Sequence, residues 1–303
     1  MVLVDRFGRP LTHMRVSVTS RCNHRCIFCH REGIVEGSLR ELSPEDLGFI
    51  ARVASRLDIT NYKLTGGEPL VREDIVSIVR EIRPYASSIS MTTNGSLLKK
   101  YARALVEAGL DYANVSLHSL KPSVFHEITG GKLEPVLEGI REALDSGLEL
   151  KLDFLLLKHN RDEVESILDF ASSMGVSINL IELIPLGMGR EEWSRLHESL
   201  DPVVKMLEKK AVKKTVKEFQ NRPTYILPSG IAVTVIRGYG NPDMCRACTR
   251  IRLTPDGRLK TCIFRNDNLV DAWDAIKSRD EEKLAELIRE ANKRREPFFK
   301  TRV

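Results

Sequence analysis

Short apolar segments alternate regularly with amphipathic ones along this chain, and this alternation limits the possible folds more than any other pattern in the sequence. Strand-like segments recur at Met14–Thr19, Tyr62–Thr65, Ser88–Thr93, Tyr112–Leu117, Leu150–Leu156 and Ser177–Leu183. Helical periodicity fills the intervals at 44–57, 73–82, 97–108, 133–145 and 161–174. Strand–helix–strand units place successive strands parallel, so we predict an α/β fold around a six-stranded parallel sheet. Six units are two short of a closed eight-unit barrel, which leaves a partial barrel or an open doubly wound sheet.

The regular alternation of strands and helices ends at about residue 200. The pattern predicts a basic helix over Val203–Lys217, strands at Tyr225–Leu227 and Ile231–Ile236, and helices at Leu269–Ser278 and Glu281–Asn292. A Pro-Asp-Gly turn between Ile251–Thr254 and Arg258–Thr261 predicts a hairpin. We therefore predict a core over residues 1–220 and a smaller C-terminal α+β subdomain over residues 221–303.

The net charge and the distribution of apolar residues indicate which partners and which cellular location to expect. The 47 Lys and Arg residues exceed the 42 Asp and Glu residues by five, and this mild positive charge suits an anionic small molecule. The charge suits nucleic acid about equally well, but it argues against a dedicated DNA binder. The sequence lacks an apolar run of the ~18 residues that a membrane span needs, and Met1–Pro10 lacks the apolar core of a signal peptide. We expect a cytoplasmic protein with no membrane or nucleic-acid partner.

Six cysteines fall into two groups of three: Cys22, Cys26 and Cys29 directly after the first strand, and Cys245, Cys248 and Cys262 near the C-terminus. In a reducing cytosol, clustered cysteines are more often metal ligands than disulfide partners. Three thiolates can bind three irons of a cubane cluster and leave the fourth iron open to a small ligand. A zinc site completed by His24 or His30 is the alternative for the first group. Zinc with an outside ligand, or a cluster with a non-cysteine fourth ligand, is the alternative for the second.

Two further motifs accompany the cysteines. Thr65-Gly66-Gly67-Glu68-Pro69 ends the second strand, and its glycines either admit close approach of a ligand or form an ordinary turn. Arg250 and Arg252 lie two residues apart, which places both guanidinium groups on one face of a strand. Arginine pairs bind phosphate oxygens through forked hydrogen bonds, although a solvent-facing basic strand would show the same spacing.

The CxxxCxxC spacing of the first group, with an aromatic residue before its last cysteine, resembles the radical S-adenosylmethionine (SAM) superfamily. Together with the second group and the arginine pair, several segments resemble the GTP 3′,8-cyclase (MoaA) family, which opens molybdenum cofactor biosynthesis: 11–22, 63–70, 92–96, 114–117, 181–185 and 248–257. The resemblance implies a partial (β/α)6 radical SAM barrel whose C-terminal subdomain carries a second Fe-S cluster. It further implies two 4Fe-4S clusters and SAM as cofactors, GTP as substrate, an external electron donor and a downstream accessory protein that forms the pterin. A homodimer is left open.

The resemblance also assigns residues. Cys22, Cys26 and Cys29 would hold the SAM-binding cluster, and Cys245, Cys248 and Cys262 the auxiliary cluster. The residues expected to line SAM are Phe28, Gly67, Ser116 and Ile184. Those expected to contact GTP are Arg15, Lys63, Thr92, Lys151, Arg250 and Arg252. The reaction implied is radical removal of hydrogen from the ribose 3′ carbon of GTP, followed by bond formation to carbon 8 of guanine.

The chain departs from the family pattern at four places. Phe28 stands where the family commonly has tyrosine, Ile184 where it has methionine, and His118 where it often has aspartate. Residues 299–303 lack the two terminal glycines of many relatives. Two rival interpretations stay open: a peptide-modifying radical SAM enzyme with an auxiliary cluster, and a zinc protein that binds nucleic acid, supported by the basic run 209–214.

Overall fold

A computed structural model describes residues 2–34 and 40–296 of the protein. The tail at 299–303 lies outside the described residues. A two-stranded ribbon pairs Leu3–Val4 with Pro10–Leu11, and twelve strands form one large sheet. In chain order these strands are β1 His13–Thr19, β2 Asn61–Gly66, β3 Ser88–Thr93, β4 Tyr112–Ser116, β5 Glu149–Leu156, β6 Ser177–Glu182, β7 Lys213–Lys217, β8 Arg222–Ile226, β9 Ala232–Ile236, β10 Arg250–Leu253, β11 Arg258–Lys260 and β12 Val270–Asp271.

The sheet has the order β12-β11-β10-β1-β2-β3-β4-β5-β6-β9-β8-β7. Strands β1 to β6 are parallel neighbours, which confirms the predicted α/β core. At one edge β10 pairs parallel with β1, and at the other β9 pairs parallel with β6. The strands that follow residue 200 therefore extend the core sheet at both edges, through antiparallel pairs at β11 and β8. The result is a mixed sheet, and the domain boundary at residue 220 stays a prediction.

The described residues contain twelve α-helices, of which the first ten lie between strands and the last two follow β12: α1 Pro44–Ser55, α2 Ile75–Ile82, α3 Leu98–Glu107, α4 Pro122–Thr129, α5 Leu133–Asp145, α6 Val164–Ser173, α7 Met188–Glu191, α8 Trp193–Leu196, α9 Asp201–Lys210, α10 Pro242–Arg246, α11 Trp273–Lys277 and α12 Glu281–Lys293. The Ser43 hydroxyl accepts a hydrogen bond from the backbone N–H of Asp46, and the Asp46 carboxylate accepts one from the backbone N–H of Ser43, so a capping box begins α1. None of the described helices is both long and apolar enough to cross a membrane.

Each core strand was predicted to within one residue, but expectations elsewhere were wrong. The helix predicted over Leu269–Ser278 begins only at Trp273, because Val270–Asp271 form β12, which pairs with β11. The helix predicted over Val203–Lys217 ends at Lys210, and β7 follows. Thr215 and Val216 are β-branched, and they pair with β8, a contact that local periodicity does not report. The helix α4, which begins at Pro122, was not predicted at all.

The alternation of side chains along each strand separates the core face of the sheet from an inner face that lines a cavity. Met14, Leu64 and Leu152 are fully buried in the main hydrophobic cluster, which packs the sheet against its helices. The neighbouring residues Arg15 and Lys63 line the opposite, inner face. This inner face is polar, and it carries the candidate site.

Candidate active site

A cavity of about 1280 Å³ occupies the inner face of the sheet. All sixteen site residues predicted from the sequence lie on its wall: Arg15, Cys22, Cys26, Phe28, Cys29, Lys63, Gly67, Thr92, Ser116, Lys151, Ile184, Cys245, Cys248, Arg250, Arg252 and Cys262. The fold therefore brings together residues that are more than 200 positions apart in the chain. Their individual roles stay predictions.

The first cysteine group lies in the loop at the C-terminal end of β1. Backbone N–H groups of Arg25 and Ile27 donate to carbonyls at the end of α4, which fixes the loop. Gly67 packs against the backbone of Arg21, which precedes the first cysteine group. The contact is so close that a Cβ atom at position 67 would overlap the carbonyl oxygen of Arg21. The glycine motif thus accommodates the chain's own loop just before Cys22. This packing is a second reason for glycine, beside the ligand approach suggested by the sequence.

The thiols of the first group form no disulfide. Burial, together with the neighbouring Cys29 and Cys22 thiols, raises the pKa of Cys26 to about 12, and burial also raises the pKa of Cys22. Three adjacent thiolates would therefore need positive charge, which the irons of a cluster held by Cys22, Cys26 and Cys29 would supply. No three His, Cys, Asp or Glu side chains of the described residues converge on a single metal ion. A cubane needs no such convergence, because each thiolate binds a different iron.

Phe28 and His118 form the wall beside the first group. Their rings meet edge to face with centroids 4.9 Å apart. The Nδ1 atom of His118 accepts a hydrogen bond from the backbone N–H of Leu155 at 3.1 Å. Burial lowers the pKa of His118 to about 4, so the ring is neutral and its proton lies on Nε2. The histidine that departs from the family pattern thus contributes an uncharged wall to the cavity.

The second cysteine group lies at the opposite ends of the strands. Cys245 and Cys248 precede β10, which runs parallel to β1, whereas the first group follows β1. Cys262 comes after β11, which runs antiparallel to β10 and so returns to the same end. The two groups are therefore separated along the direction of β1 and β10 by the length of these strands. Side chains on the inner face fill the space between them.

Three arginines surround Cys248 and change its ionisation. Burial alone would raise the pKa of this thiol, but Arg250, Arg295 and Arg9 hold it below its ordinary value. Arg295 also donates to the carbonyl oxygen of Cys248, and Arg9 donates to that of Cys245 at 3.0 Å. Burial raises the pKa of Cys262, in contrast. Thiolate donors in a cationic setting fit a bound cluster of net negative charge at this end.

The cations predicted to bind substrate form a row across the sheet. Arg252 on β10 is the register partner of Arg15 on β1, which is the partner of Lys63 on β2. Lys63 Nζ donates to Asn114 Oδ1 at 2.8 Å. Burial, opposed by Asp153 but reinforced by Arg15 and Arg250, lowers the pKa of Lys63 to about 7. Burial and the neighbouring arginines likewise hold the pKa of Arg250 well below its ordinary value. The cavity thus concentrates positive charge that an anionic ligand would stabilise.

Two aromatic rings hold pairs of these cations. The Nζ atoms of Lys63 and Lys151 lie 5.3 and 5.0 Å from the ring centroid of Tyr112. The guanidinium carbons of Arg222 and Arg250 lie 5.0 and 4.9 Å from the ring centroid of Phe219. Cations attract the negative faces of aromatic rings, so each ring sets the spacing of two charges. Sequence reasoning missed both rings and Arg222, because their partners lie on distant strands.

Asp153 is a carboxylate within this cationic wall. Its Oδ1 atom accepts hydrogen bonds from the side-chain amides of Asn114 at 2.8 Å and Asn179 at 2.6 Å. These three residues come from the adjacent strands β4, β5 and β6. Asp153 also escaped the sequence analysis, although it lies two residues after Lys151. Side chains two residues apart in a strand lie on the same face, so the position of Lys151 could have predicted that Asp153 lies on the cavity face.

Comparison with known proteins identifies the family. The sequence profile of the Radical SAM superfamily matches residues 16–171, and that of Molybdenum Cofactor Synthesis C matches residues 176–301. A "Probable GTP 3′,8-cyclase" of Thermococcus kodakarensis is 46% identical over 99% of this chain and 100% of the relative. A protein of the same name from Metallosphaera sedula is 44% identical over 98% of this chain and 97% of the relative.

Solved structures share the fold at low sequence identity. Streptococcus suis SuiB bound to S-adenosylmethionine matches with a TM-score of 0.66 and 15% identity, over 94% of this chain and 69% of SuiB. Native anSMEcpe with bound AdoMet matches with a TM-score of 0.60 and 14% identity, over 90% of this chain and 82% of that protein. The chain belongs to the radical SAM superfamily and, within it, to the GTP 3′,8-cyclase family.

Proposed function

We propose that this protein is a GTP 3′,8-cyclase that carries out the first step of molybdenum cofactor biosynthesis. It converts GTP into (8S)-3′,8-cyclo-7,8-dihydroguanosine 5′-triphosphate, with two 4Fe-4S clusters and SAM as cofactors. The observation that carries the proposal is the row of half-buried cations that lies between two cysteine groups on the wall of one cavity. The names of relatives that match nearly the whole length of the chain support it.

Different residues of the chain would bind the different cofactors. Cys22, Cys26 and Cys29 would hold the cluster that binds SAM, and the second cysteine group would hold the auxiliary cluster. When bound and reduced, the first cluster and SAM supply a carbon-centred radical able to remove hydrogen from a ribose C–H bond. Phe28, with Gly67, Ser116 and Ile184, would line the SAM side of the cavity.

The cationic row would bind and orient the triphosphate. Arg15, Arg250 and Arg252 carry guanidinium groups that repel one another in a buried setting, and burial together with this repulsion lowers the pKa values of Arg250 and Arg252. A triphosphate carries a charge of about −4 near neutral pH, so it would relieve the repulsion. Lys63 and Lys151 would meet the same ligand from the strands beyond Arg15, and Thr92 from β3. Fixing one end of GTP in this way directs a single C–H bond toward the SAM side.

Two partners belong to the proposal. An external electron donor would reduce the cluster of the first cysteine group. A downstream accessory protein would convert the cyclised nucleotide to the pterin. Neither partner has an assigned surface on this chain.

A deuterium-transfer experiment tests the function. The product is an isomer of GTP, so the protein is incubated without oxygen with SAM, a reductant and GTP deuterated at the ribose 3′ carbon. The expected result is 5′-deoxyadenosine that carries one deuterium, together with a new nucleotide that has lost that deuterium and gained a proton from solvent. Unlabelled 5′-deoxyadenosine with unchanged GTP would refute the cyclase. If the protein instead forms unlabelled 5′-deoxyadenosine while it modifies a peptide from a test panel, the peptide-modifying rival is favoured.

Cysteine variants test the division between the two groups. The reconstituted wild-type protein should bind about eight irons, four at each cysteine group. Cys22→Ser should abolish SAM cleavage, whereas Cys245→Ser should retain uncoupled SAM cleavage and lose GTP affinity. Each variant serves as the matched control for the other. Equal loss of both properties in both variants would contradict the assignment, and an iron content of about four in the wild-type protein would remove the second cluster.

A further inference from the structure

A buried carboxylate joins two of the arginines in the cationic row. Glu32 accepts two hydrogen bonds from Arg15, from Nε at 2.9 Å and from Nη2 at 2.6 Å. It accepts a third from Nη1 of Arg252 at 2.5 Å and a fourth from the hydroxyl of Thr65 at 3.1 Å. The residue is 6% exposed and lies on the wall of the cavity. Glu32 belongs to none of the motifs of the sequence and to none of the site residues that the family resemblance implies.

The chain brings Glu32 to this position through an unusual turn. Arg31, Glu32 and Gly33 all have positive φ angles, of 46°, 53° and 70°. Residues other than glycine adopt such angles at a cost, and this cost persists where other contacts impose the conformation. The N–H of Glu32 donates to the His30 ring at 3.0 Å, and Gly33 packs so closely on Ile263 that a Cβ atom would overlap its carbonyl oxygen. The turn is thus held between the loops that carry the two cysteine groups.

The carboxylate controls the orientation of two neighbouring guanidinium groups. Arg15 and Arg252 are register partners on β1 and β10, so their side chains leave the sheet side by side. Glu32 binds the Nε–Nη2 edge of Arg15 and the Nη1 end of Arg252. Each guanidinium has five N–H groups, so both keep donors that these bonds do not use. A common acceptor that fixes two planar groups also fixes the direction of their remaining donors.

The charge balance shows that Glu32 is ionised in this arrangement. Burial alone would raise its pKa, but Arg15 and then Arg252 hold the pKa well below the ordinary value. The carboxylate therefore neutralises one of two adjacent positive charges and keeps them together. An anionic ligand that approaches Arg15 and Arg252 meets a net positive pair whose geometry is already set.

We infer that Glu32 is a positioning residue for the triphosphate group of the substrate, acting through the hydrogen bonds that orient Arg15 and Arg252. The identity of the ligand as GTP rests on the function proposed above. Simple electrostatics gives the opposite expectation. If Glu32 only added negative charge to the cavity, its neutralisation would strengthen anion binding. The sign of the change in affinity therefore separates the two roles.

The test is equilibrium binding to the cluster-reconstituted protein under anaerobic conditions, with three ligands: GTP, guanosine and inorganic triphosphate. Glu32→Gln keeps the shape of the side chain but presents an amide to arginine donors. We expect affinity for GTP and for inorganic triphosphate to fall about tenfold, the worth of one charge-assisted hydrogen bond. Guanosine affinity should not change. Glu163→Gln is the matched control, because Glu163 is also buried but bonds Ser119 and Leu120 rather than an arginine.

A double-mutant cycle checks that Glu32 acts through Arg252. In an Arg252→Ala background, Glu32→Gln should cost less triphosphate affinity than it does in the wild-type protein, since one oriented group is already missing. Unchanged or tighter triphosphate binding by Glu32→Gln would overturn the inference. Equal loss of guanosine affinity would also overturn it, because that pattern indicates general damage to the fold. Wild-type protein that binds triphosphate but not GTP would refute the proposed function alone.

Discussion

We expect the affinity for GTP to fall as the pH rises above 7, because the side chain of Lys63 loses its proton in that range. Its pKa is about 7 in the ligand-free protein, against an ordinary value of 10.5, because burial and nearby arginines disfavour the ammonium form. A bound triphosphate supplies the missing negative charge and favours that form again. Restoring the full ordinary value corresponds to an upper bound of about 5 kcal/mol of coupling between protonation and binding.

The direction of the effect follows from proton linkage. At pH 8 about one-tenth of the free protein carries a proton on Lys63, whereas nearly all of the complex does, so binding takes up about 0.9 proton. At pH 6 both states are already protonated, and uptake falls to about 0.1 proton. Between pH 7 and pH 9 the association constant should fall about 50-fold. Free phosphate groups are ionised throughout this range, since their second pKa is about 6.

Isothermal titration calorimetry measures this uptake directly. GTP is titrated at pH 8 into reconstituted protein in buffers of different ionisation enthalpy, and the slope of heat against that enthalpy gives the protons bound. Lys63→Met should bind weakly at every pH and take up no proton. Lys63→Arg, which is always charged, should bind equally at pH 7 and pH 9. A wild-type affinity that is constant from pH 7 to pH 9, or a slope that persists in Lys63→Met, would refute the reasoning.

Two further predictions concern groups that shape the site. Gly67→Ala should displace the loop before Cys22, because its Cβ would overlap the carbonyl oxygen of Arg21; we expect loss of uncoupled SAM cleavage, measured as 5′-deoxyadenosine, and a lower melting temperature. Full SAM cleavage by this variant would contradict the packing argument. Tyr112→Leu removes a ring that two lysines share and should weaken GTP binding by about 1–2 kcal/mol in equilibrium dialysis, with guanosine affinity retained. Equal effects on both ligands would count against a role in spacing the charges.

Local patterns predicted the core strands because each strand carries its own period. Met14, Leu64 and Leu152 alternate with Arg15, Lys63 and Lys151, so the order of residues alone distinguishes the core face of each strand from the cavity face. The same locality failed at residues 211–217. There the chain is basic and helix-like in composition, yet pairing with β8 makes it a strand.

Most side-chain contacts around the site could not be predicted from the sequence. No sequence pattern near Phe219 indicates that its ring contacts both Arg222 and Arg250, because these contacts depend on β9 joining the sheet beside β6. Glu32 lies three residues after Cys29, but its partners come from β1 and β10. The double glycine was predicted to admit a ligand, and the structure adds that Gly67 gives room to the loop before Cys22.

The chemistry available to this protein follows from its local sequence, because the thiol donors, the basic side chains and the strand–helix order can each be recognised from neighbouring residues. Where that chemistry acts depends instead on the pairing of strands that are far apart in the chain. Parallel pairing of β10 with β1 puts the second cysteine group at the far end of the barrel and sets Arg252 beside Arg15. Burial of those charges, and hence their pKa values and their need for an anion, arises from the packing of distant segments, which no local pattern encodes.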